Sequence, residues 1–199
     1  MLTRELIKKT FTRIPTMVTP RLCLRQILPT DLDAMFGYAS QKEVTQYLLW
    51  SPHPTKDYTS RYLAYLQDRY RTGDFYDWAI VPNDVRVMIG TCGFTRFDYS
   101  NNCAEVGYVI NPAYHGKGYA TEALCRVLSF AFHELKLHRV EACYLENNLA
   151  SRRVMERCGM VFEGVRRGAL IVKGHYENVG VCAILKEDYE MLTQKTELN

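Results

Sequence analysis

The chain has 199 residues, 47% of them hydrophobic, and a formal net charge of +3. That length suits one domain with short extensions, and the hydrophobic share supports a real core. The mild charge, without a basic run, excludes nucleic acid as a principal partner, no apolar stretch reaches transmembrane length, and the N-terminus lacks a signal-peptide apolar core.

Residues 1–18 read as an N-terminal extension, with a short helix ending near Pro15. Arg21 to Ile27 alternates apolar and polar residues, the signature of a half-buried strand. Pro29-Thr30-Asp31 starts a helix with Leu32, Met35 and Phe36 on its apolar face, and a second short helix covers Lys42 to Leu48. Pro52 and Pro54 make the next stretch a loop. A helix from Thr55 or Lys56 to Arg71 follows, with Tyr62, Leu63, Leu66 and Tyr70 on one side and Gly73 as its stop. This tyrosine-rich helix reads as core on that side.

Phe75 to Val81 and Val85 to Phe97 are predicted strands, joined by a turn at Pro82-Asn83-Asp84. Gly90 and Gly93 in the second signal a bulge or a close approach. Ala104 to Ile110 is the fourth strand, and His138 to Leu145 the fifth. Between them lies a helix whose apolar residues, at 120, 123, 124, 127, 128, 131 and 135, recur with a period near 3.6. Asn148 to Arg157 is a short helix stopped by Gly159. Phe162 to Leu170 and Tyr176 to Leu185 are the last strands, turning near Lys173-Gly174, and the tail from Lys186 is helical and then frayed. The outline is an α/β (α+β) mixed sheet of about seven strands, mostly antiparallel and flanked by helices.

The seven cysteines, Cys23, Cys92, Cys103, Cys125, Cys143, Cys158 and Cys182, are odd in number, lack a C-x-x-C pair and sit mostly in apolar runs. They read as reduced core thiols of a cytoplasmic protein, neither disulfides nor zinc ligands. His133, His138 and His175 show no metal spacing, so no metal is expected.

The most informative stretch is Tyr114-His115-Gly116-Lys117-Gly118-Tyr119-Ala120-Thr121-Glu122-Ala123. It joins the fourth strand to a helix N-terminus. Gly116 and Gly118 open backbone conformations closed to other residues. The first N–H groups of the helix lack internal partners and lie at the positive end of its dipole. The combination suits a pyrophosphate, and Lys117 adds a charge. A P-loop would need Ser or Thr after Gly-Lys, and Gly118 stands there; the spacing of a Rossmann loop is also wrong. A tight strand–helix connection without a ligand remains the alternative on the loop alone.

Four pieces together resemble the Gcn5-related N-acetyltransferases, in the branch of the ribosomal-protein alanine acetyltransferases. They are Thr19 to Arg25 with Asp31; Ala104-Glu105-Val106-Gly107-Tyr108-Val109-Ile110; the loop His115 to Ala120 with Thr121-Glu122-Ala123; and Asn148-Leu149-Ala150-Ser151 with Cys158-Gly159-Met160 and Glu163-Gly164. The resemblance covers about residues 19–188, leaving 189–199 as a tail. It implies a single domain whose sheet splays between the fourth and fifth strands to admit acetyl-CoA. The pyrophosphate would rest on His115, Gly116, Lys117, Gly118, Tyr119, Ala120 and Thr121. The pantetheine arm would pair with the main chain of Gly107, Tyr108 and Val109, with Asn148 nearby. The loop of the family usually opens with Gln or Arg; here His115 stands in that place.

Alternation puts Glu105, Gly107 and Val109 on one strand face. By resemblance this strand lines the cleft, and Glu105 is the general base that generates a neutral amine. Its alternative is a solvated edge residue. The family Tyr seven residues after Asn148 is replaced by Met155, which cannot donate a proton. Ser151 is then the candidate acid for the coenzyme A thiolate, against a reading in which Asn148 caps the helix and Ser151 is an ordinary first-turn residue. Relatives often carry Asp where Asn178 stands. The expected reaction is direct acetyl transfer to a primary amine, most simply a protein N-terminal α-amine. Acceptors among polyamines, amino acids or antibiotics, or a non-catalytic acyl-CoA-binding module, are the alternatives. The acceptor pocket would lie between Asp31 and Arg71 and the last hairpin, and an exposed edge strand would permit a homodimer.

Overall fold

A computed structural model describes residues 2–197. The strands run in chain order as β1 (Met17–Val18), β2 (Leu22–Arg25), β3 (Asp77–Pro82), β4 (Gly90–Asp98), β5 (Cys103–Ile110), β6 (Arg139–Leu145), β7 (Val161–Val172) and β8 (His175–Leu185). They form one sheet in the order β1-β2-β3-β4-β5-β6-β8-β7. β5 and β6 are parallel, and every other neighbouring pair is antiparallel. The eighth strand beyond the seven expected is the two-residue β1, inside the N-terminal stretch.

The helices are α1 (Arg4–Thr12), α2 (Leu32–Ala39), α3 (Lys42–Thr45), α4 (Lys56–Thr72), α5 (Tyr119–His133), α6 (Leu149–Arg157) and α7 (Lys186–Glu197), with 3-10 turns at Pro29–Asp31 and Pro112–Tyr114. Local chemistry sets their limits. Thr55 accepts the Tyr58 N–H to begin α4, and Gly73, at φ +70°, ends it. Thr3 caps α1 in the same manner through Leu6 N–H. The tail from Lys186 forms α7 as far as Glu197, and the frayed end expected beyond the helix lies outside the described residues.

The two sheet faces carry different work. On one, Trp78 and Phe94 meet Phe130 of α5 and Phe11 of α1, with the Trp78–Phe130 centroids 5.5 Å apart. Phe11 is fully buried, which stabilises the fold by roughly 1.5–3 kcal/mol. On the other face lie α2 and α4, which bury Tyr38, Leu63, Leu66 and Tyr70. The Tyr70 hydroxyl accepts from Ile27 N–H at 3.3 Å and donates to the Asp77 carbonyl at 2.6 Å, tying α4 to β3.

Three expectations need correction. The strand predicted from Val85 begins at Gly90, because residues 83–89 form a longer turn in which Arg86 takes φ +57°. The helix predicted to Leu48 ends at Thr45. Of the seven cysteines, all free, only Cys92, Cys158 and Cys182 are buried, and Cys125 is exposed on α5. The glycines of β4 mark close approach: a Cβ on Gly90 would lie 2.0 Å from the Val109 carbonyl oxygen. The bulge itself falls at Thr95, between Phe94 and Arg96. No helix among the described residues is long and apolar enough to cross a membrane.

Candidate active site

The sheet opens where two parallel strands part. β5 pairs with β6 from Cys103↔Arg139 to Val106↔Ala142 and no further, although both strands continue. On the β6 side, the main chain of Gly107 to Ile110 is left without a strand partner. Such groups demand hydrogen bonds from something else.

Next to this gap is a cleft of about 630 Å³. Tyr108, Val109 and Ile110 line it, with the loop residues His115, Gly116, Gly118, Tyr119, Ala120 and Thr121. Asn148 and Ser151 of the α6 start and Tyr47 of the α3 end complete its walls. Apart from Glu105, Gly107 and Lys117, every site residue expected from sequence lines this cleft.

The loop has the backbone its glycines imply. Gly116 and Gly118 take φ of +76° and +77°, the left-handed region, and Gly118 immediately precedes the first turn of α5. A first-turn Glu122 then fastens the loop to the sheet. Its Oε1 accepts from Thr19 Oγ1 at 2.6 Å and Arg21 N–H at 3.0 Å, and its Oε2 from Arg21 Nε at 2.6 Å. Arg21 Nη1 donates onward to the Lys117 carbonyl at 3.0 Å. Burial pushes the Glu122 carboxyl up, but the Thr19 and Arg21 hydrogen bonds outweigh it and hold the group below the usual carboxylate range. The shared motif pieces at Thr19–Arg21 and at Glu122 thus meet in one structural clamp.

His115 is not free to meet an anion with Nε2. That nitrogen lies 3.0 Å from the Ile110 carbonyl oxygen, which can only accept, so it carries the proton. Lys117 turns its ammonium over the Tyr114 ring, 5.2 Å from the centroid. Positive charge reaches the cleft from elsewhere: Arg153 and Arg157, four residues apart on α6, both line it, and neither forms an ion pair among the described residues. Left-handed glycines, a helix N-terminus and two uncommitted arginines fit a polyphosphate cofactor. Sequence reasoning missed this pair, although their i,i+4 spacing alongside Ser151 was a usable signal.

Asn148 does cap α6, its Oδ1 accepting from Ser151 N–H at 3.2 Å. Ser151 also faces Tyr108: the phenol donates to the Ser151 carbonyl at 2.8 Å, and the two hydroxyl oxygens are 2.9 Å apart. Burial raises the Tyr108 hydroxyl well above its ordinary value, with the Ser151 contact opposing. Met155, where the family Tyr would stand, is buried.

Glu105 sits at the mouth of the split, one residue before the last β5–β6 pair. Its Oε1 accepts from Thr95 Oγ1 at 3.1 Å, and Oε2 lies 3.5 Å from Arg96 Nη2. It lines a separate hollow of about 260 Å³ with Arg96, Asp98, Arg139 and Glu141, not the large cleft. Asn178 donates through Nδ2 to Glu146 Oε2 at 2.8 Å; an Asp there would oppose two carboxylates. At the hairpin tip, Lys173 Nζ donates to the Thr45 carbonyl at 2.5 Å, closing β7–β8 over α3. Among the described residues, no three or more His, Cys, Asp or Glu side chains gather as metal ligands.

A family profile described as "Acetyltransferase (GNAT) domain" matches residues 21–161. The N-acetyltransferase p20 of Bacillus licheniformis is 30% identical over 174 residues, covering 87% of this chain and 98% of that protein. A crystal structure of a GNAT-family acetyltransferase from Bacillus anthracis superposes with a TM-score of 0.77 at 28% identity, covering 87% of this chain and 99% of that one. The [ribosomal protein uS5]-alanine N-acetyltransferase of Escherichia coli is 22% identical over 181 residues, with 87% of this chain and 92% of that protein covered.

Proposed function

The chain belongs to the GNAT acetyltransferase family and is an N-acetyltransferase that uses acetyl-CoA, and from that premise we propose that its acceptor is the N-terminal α-amine of a protein. The observation that carries this reading is an aromatic rim beside the cleft. The His53 ring meets Trp50, Tyr58 and Tyr62 at centroid distances of 5.4, 4.9 and 5.6 Å, and Tyr62 stacks on Tyr65 at 6.4 Å. Trp50, Tyr58 and Tyr65 are exposed, as is the neighbouring Leu49. An extended peptide can bury its side chains against such a surface. The relation to the uS5-alanine acetyltransferase of Escherichia coli supports the same class of acceptor.

In this reading the acyl chain enters the gap beside Gly107, Tyr108 and Val109, and the pyrophosphate rests on residues 115–121. The amine nitrogen attacks the thioester carbonyl carbon and the carbon–sulfur bond breaks. Glu105 accepts the proton lost by nitrogen, directly or through one water. An N–H of the unpaired β5 segment steadies the oxygen as it gains negative charge. The departing thiolate is protonated by Ser151 or by solvent. Most of the rate comes from holding the two substrates together.

The experiment is mass-spectrometric detection of acetyl transfer from acetyl-CoA to a panel of peptides with free N-termini, beside the same peptides N-terminally blocked and a polyamine set. Transfer to free N-termini that blocking abolishes is the expected result. Transfer confined to polyamines overturns the acceptor assignment and leaves the acetyltransferase itself standing.

A further inference from the structure

α5 and α6 meet beside the cleft, and each brings a cysteine to the contact. Cys158 closes the last turn of α6, its N–H shared between the carbonyls of Val154 and Met155, and the chain reverses at Gly159, φ +83°. The Cys158 Sγ lies 3.4 Å from the carbonyl oxygen of Thr121, in the first turn of α5. In an α-helix the side chain four residues on leans back over that same carbonyl. On α5 that residue is Cys125, and its thiol and that of Cys158 are hydrogen-bonded to each other. Both thiols are free.

The two partners are unlike. Cys125 is exposed and Cys158 is buried. The bond from Cys158 holds the Cys125 thiol below its ordinary value, against burial and the Glu122 carboxylate, which push it up. The same bond, with burial, raises Cys158. Cys92, fully buried on β4, also faces both. Reaction with a disulfide follows thiolate character and access. Cys125 is therefore the sulfur that a reagent in solvent meets first, and Cys158 stands behind it.

The contact also joins two walls of the cleft. Ala120 and Thr121 line it from α5, and Arg153 and Arg157 from α6, Arg157 being the residue before Cys158. Acetyl transfer as described above uses neither thiol.

We infer that Cys125 and Cys158 are an oxidisable pair whose disulfide ties α5 to α6 and weakens the hold of the cleft on acetyl-CoA. The oxidant is a low-molecular-weight disulfide. The Cys125 thiolate attacks one of its sulfurs, the sulfur–sulfur bond breaks, and the departing thiolate takes up the proton that Cys125 lost. Cys158 Sγ then attacks Cys125 Sγ in the mixed disulfide, and its proton passes to the second departing thiolate. Two protein thiols are oxidised, and the small disulfide is reduced to two thiols. The new bond is about 2.0 Å long, shorter than any thiol–thiol hydrogen bond, so the last turn of α6 is drawn toward α5. The Thr121 carbonyl loses its thiol donor, and Arg157 moves with the turn.

The test uses the reduced full chain, incubated with glutathione and glutathione disulfide at a set ratio. Part is acid-quenched and mapped by mass spectrometry, and part is titrated with acetyl-CoA in the calorimeter. Two of the seven thiols should be lost without a retained glutathione, and a cross-linked peptide should carry Cys125 and Cys158. The oxidised protein should bind acetyl-CoA about tenfold more weakly, the size of one charge-assisted hydrogen bond, and reduction should restore it. Cys125→Ser, an exposed substitution, should bind like the reduced wild type and stay unresponsive. Cys158→Ala should instead accumulate a glutathione adduct on Cys125. A lasting adduct on Cys125 in the wild type, a cross-link to Cys92, no adduct in Cys158→Ala, or a cross-linked protein of unchanged affinity each overturns the inference. If the reduced wild type does not bind acetyl-CoA at all, the assignment of the cleft fails, and with it the effect claimed for the disulfide; the mapping reports the pairing separately.

Discussion

The hydroxyl of Tyr108 and that of Ser151 are 2.9 Å apart, across 43 residues of sequence. The phenol has one proton, and the Ser151 carbonyl, 2.8 Å away, can only accept it. The serine proton is then free to bond to the phenol oxygen or to a group in the cleft that both residues line. Its buried phenol is a poor acid, so Tyr108 orients Ser151 and does not itself supply a proton.

From that pair follows a modest effect. Ser151→Ala and Tyr108→Phe should each lower kcat by about tenfold, at the low end of general-acid contributions. Acetyl-CoA affinity should hardly change. Because both act through one hydroxyl, the double variant should be little worse than either single one. Additive losses in a steady-state double-mutant cycle would separate the two roles.

Replacing Glu105 by Gln removes a proton acceptor and keeps the shape. Turnover should fall about a hundredfold at neutral pH, with cofactor binding intact by calorimetry. Raising the pH should restore part of the lost rate, since more of the amine is then already neutral. Unchanged acetyl transfer at neutral pH would remove Glu105 from the mechanism.

Gly118→Ala addresses the loop. A Cβ there meets only Arg21 Nη2, at 3.5 Å, so crowding is not the issue. The cost is the left-handed backbone at φ +77°, about 1–2 kcal/mol for an L-residue. The loop should relax away from this conformation and acetyl-CoA affinity should drop about tenfold, with melting temperature lowered by a few degrees. Calorimetric titration with acetyl-CoA measures the first effect directly.

The strands, the main helices and the glycine loop were readable because they depend on neighbours in sequence: alternation, 3.6-residue periodicity, a proline or glycine at a boundary. The contacts that shape the candidate site do not. Tyr108 entered the sequence reading for its main chain, and nothing local marks its phenol as the partner of Ser151. Alternation puts Glu105 on one face with Gly107 and Val109, but it says nothing of Arg96 and Thr95, which a bulge brings to its side. The error at Val85 has a similar origin: apolar residues at 85, 87, 88 and 89 imitate a strand, while Arg86 at φ +57° breaks it.

The clamp at Glu122 predicts acid sensitivity. Its folded carboxyl lies below the ordinary Glu value of about 4.3. The stabilisation is therefore present above that ordinary value and lost as pH falls through the folded one. Arg21 is 52% exposed and Glu122 16%, so solvent screening limits the contribution to about 1 kcal/mol. Glu122→Gln should lower stability by that amount at pH 7 in a urea titration and by almost nothing at pH 3. A constant difference across that range would mean that the hydroxyl and main-chain contacts, not the charge, matter.

The parting of β5 from β6 after Val106 and Ala142 also bears on how this protein avoids its own kind. A row of unpaired main-chain groups is a template for another chain, and sheets usually hide it at their rims with charge, proline or a bulge. Here the row lies in the middle of the sheet, between β5 and β6, and not at its rim. A thin, extended molecule can pair along it. An unpaired edge inside the sheet is less accessible to another chain's strand than one at the rim, which leaves it to a narrower ligand.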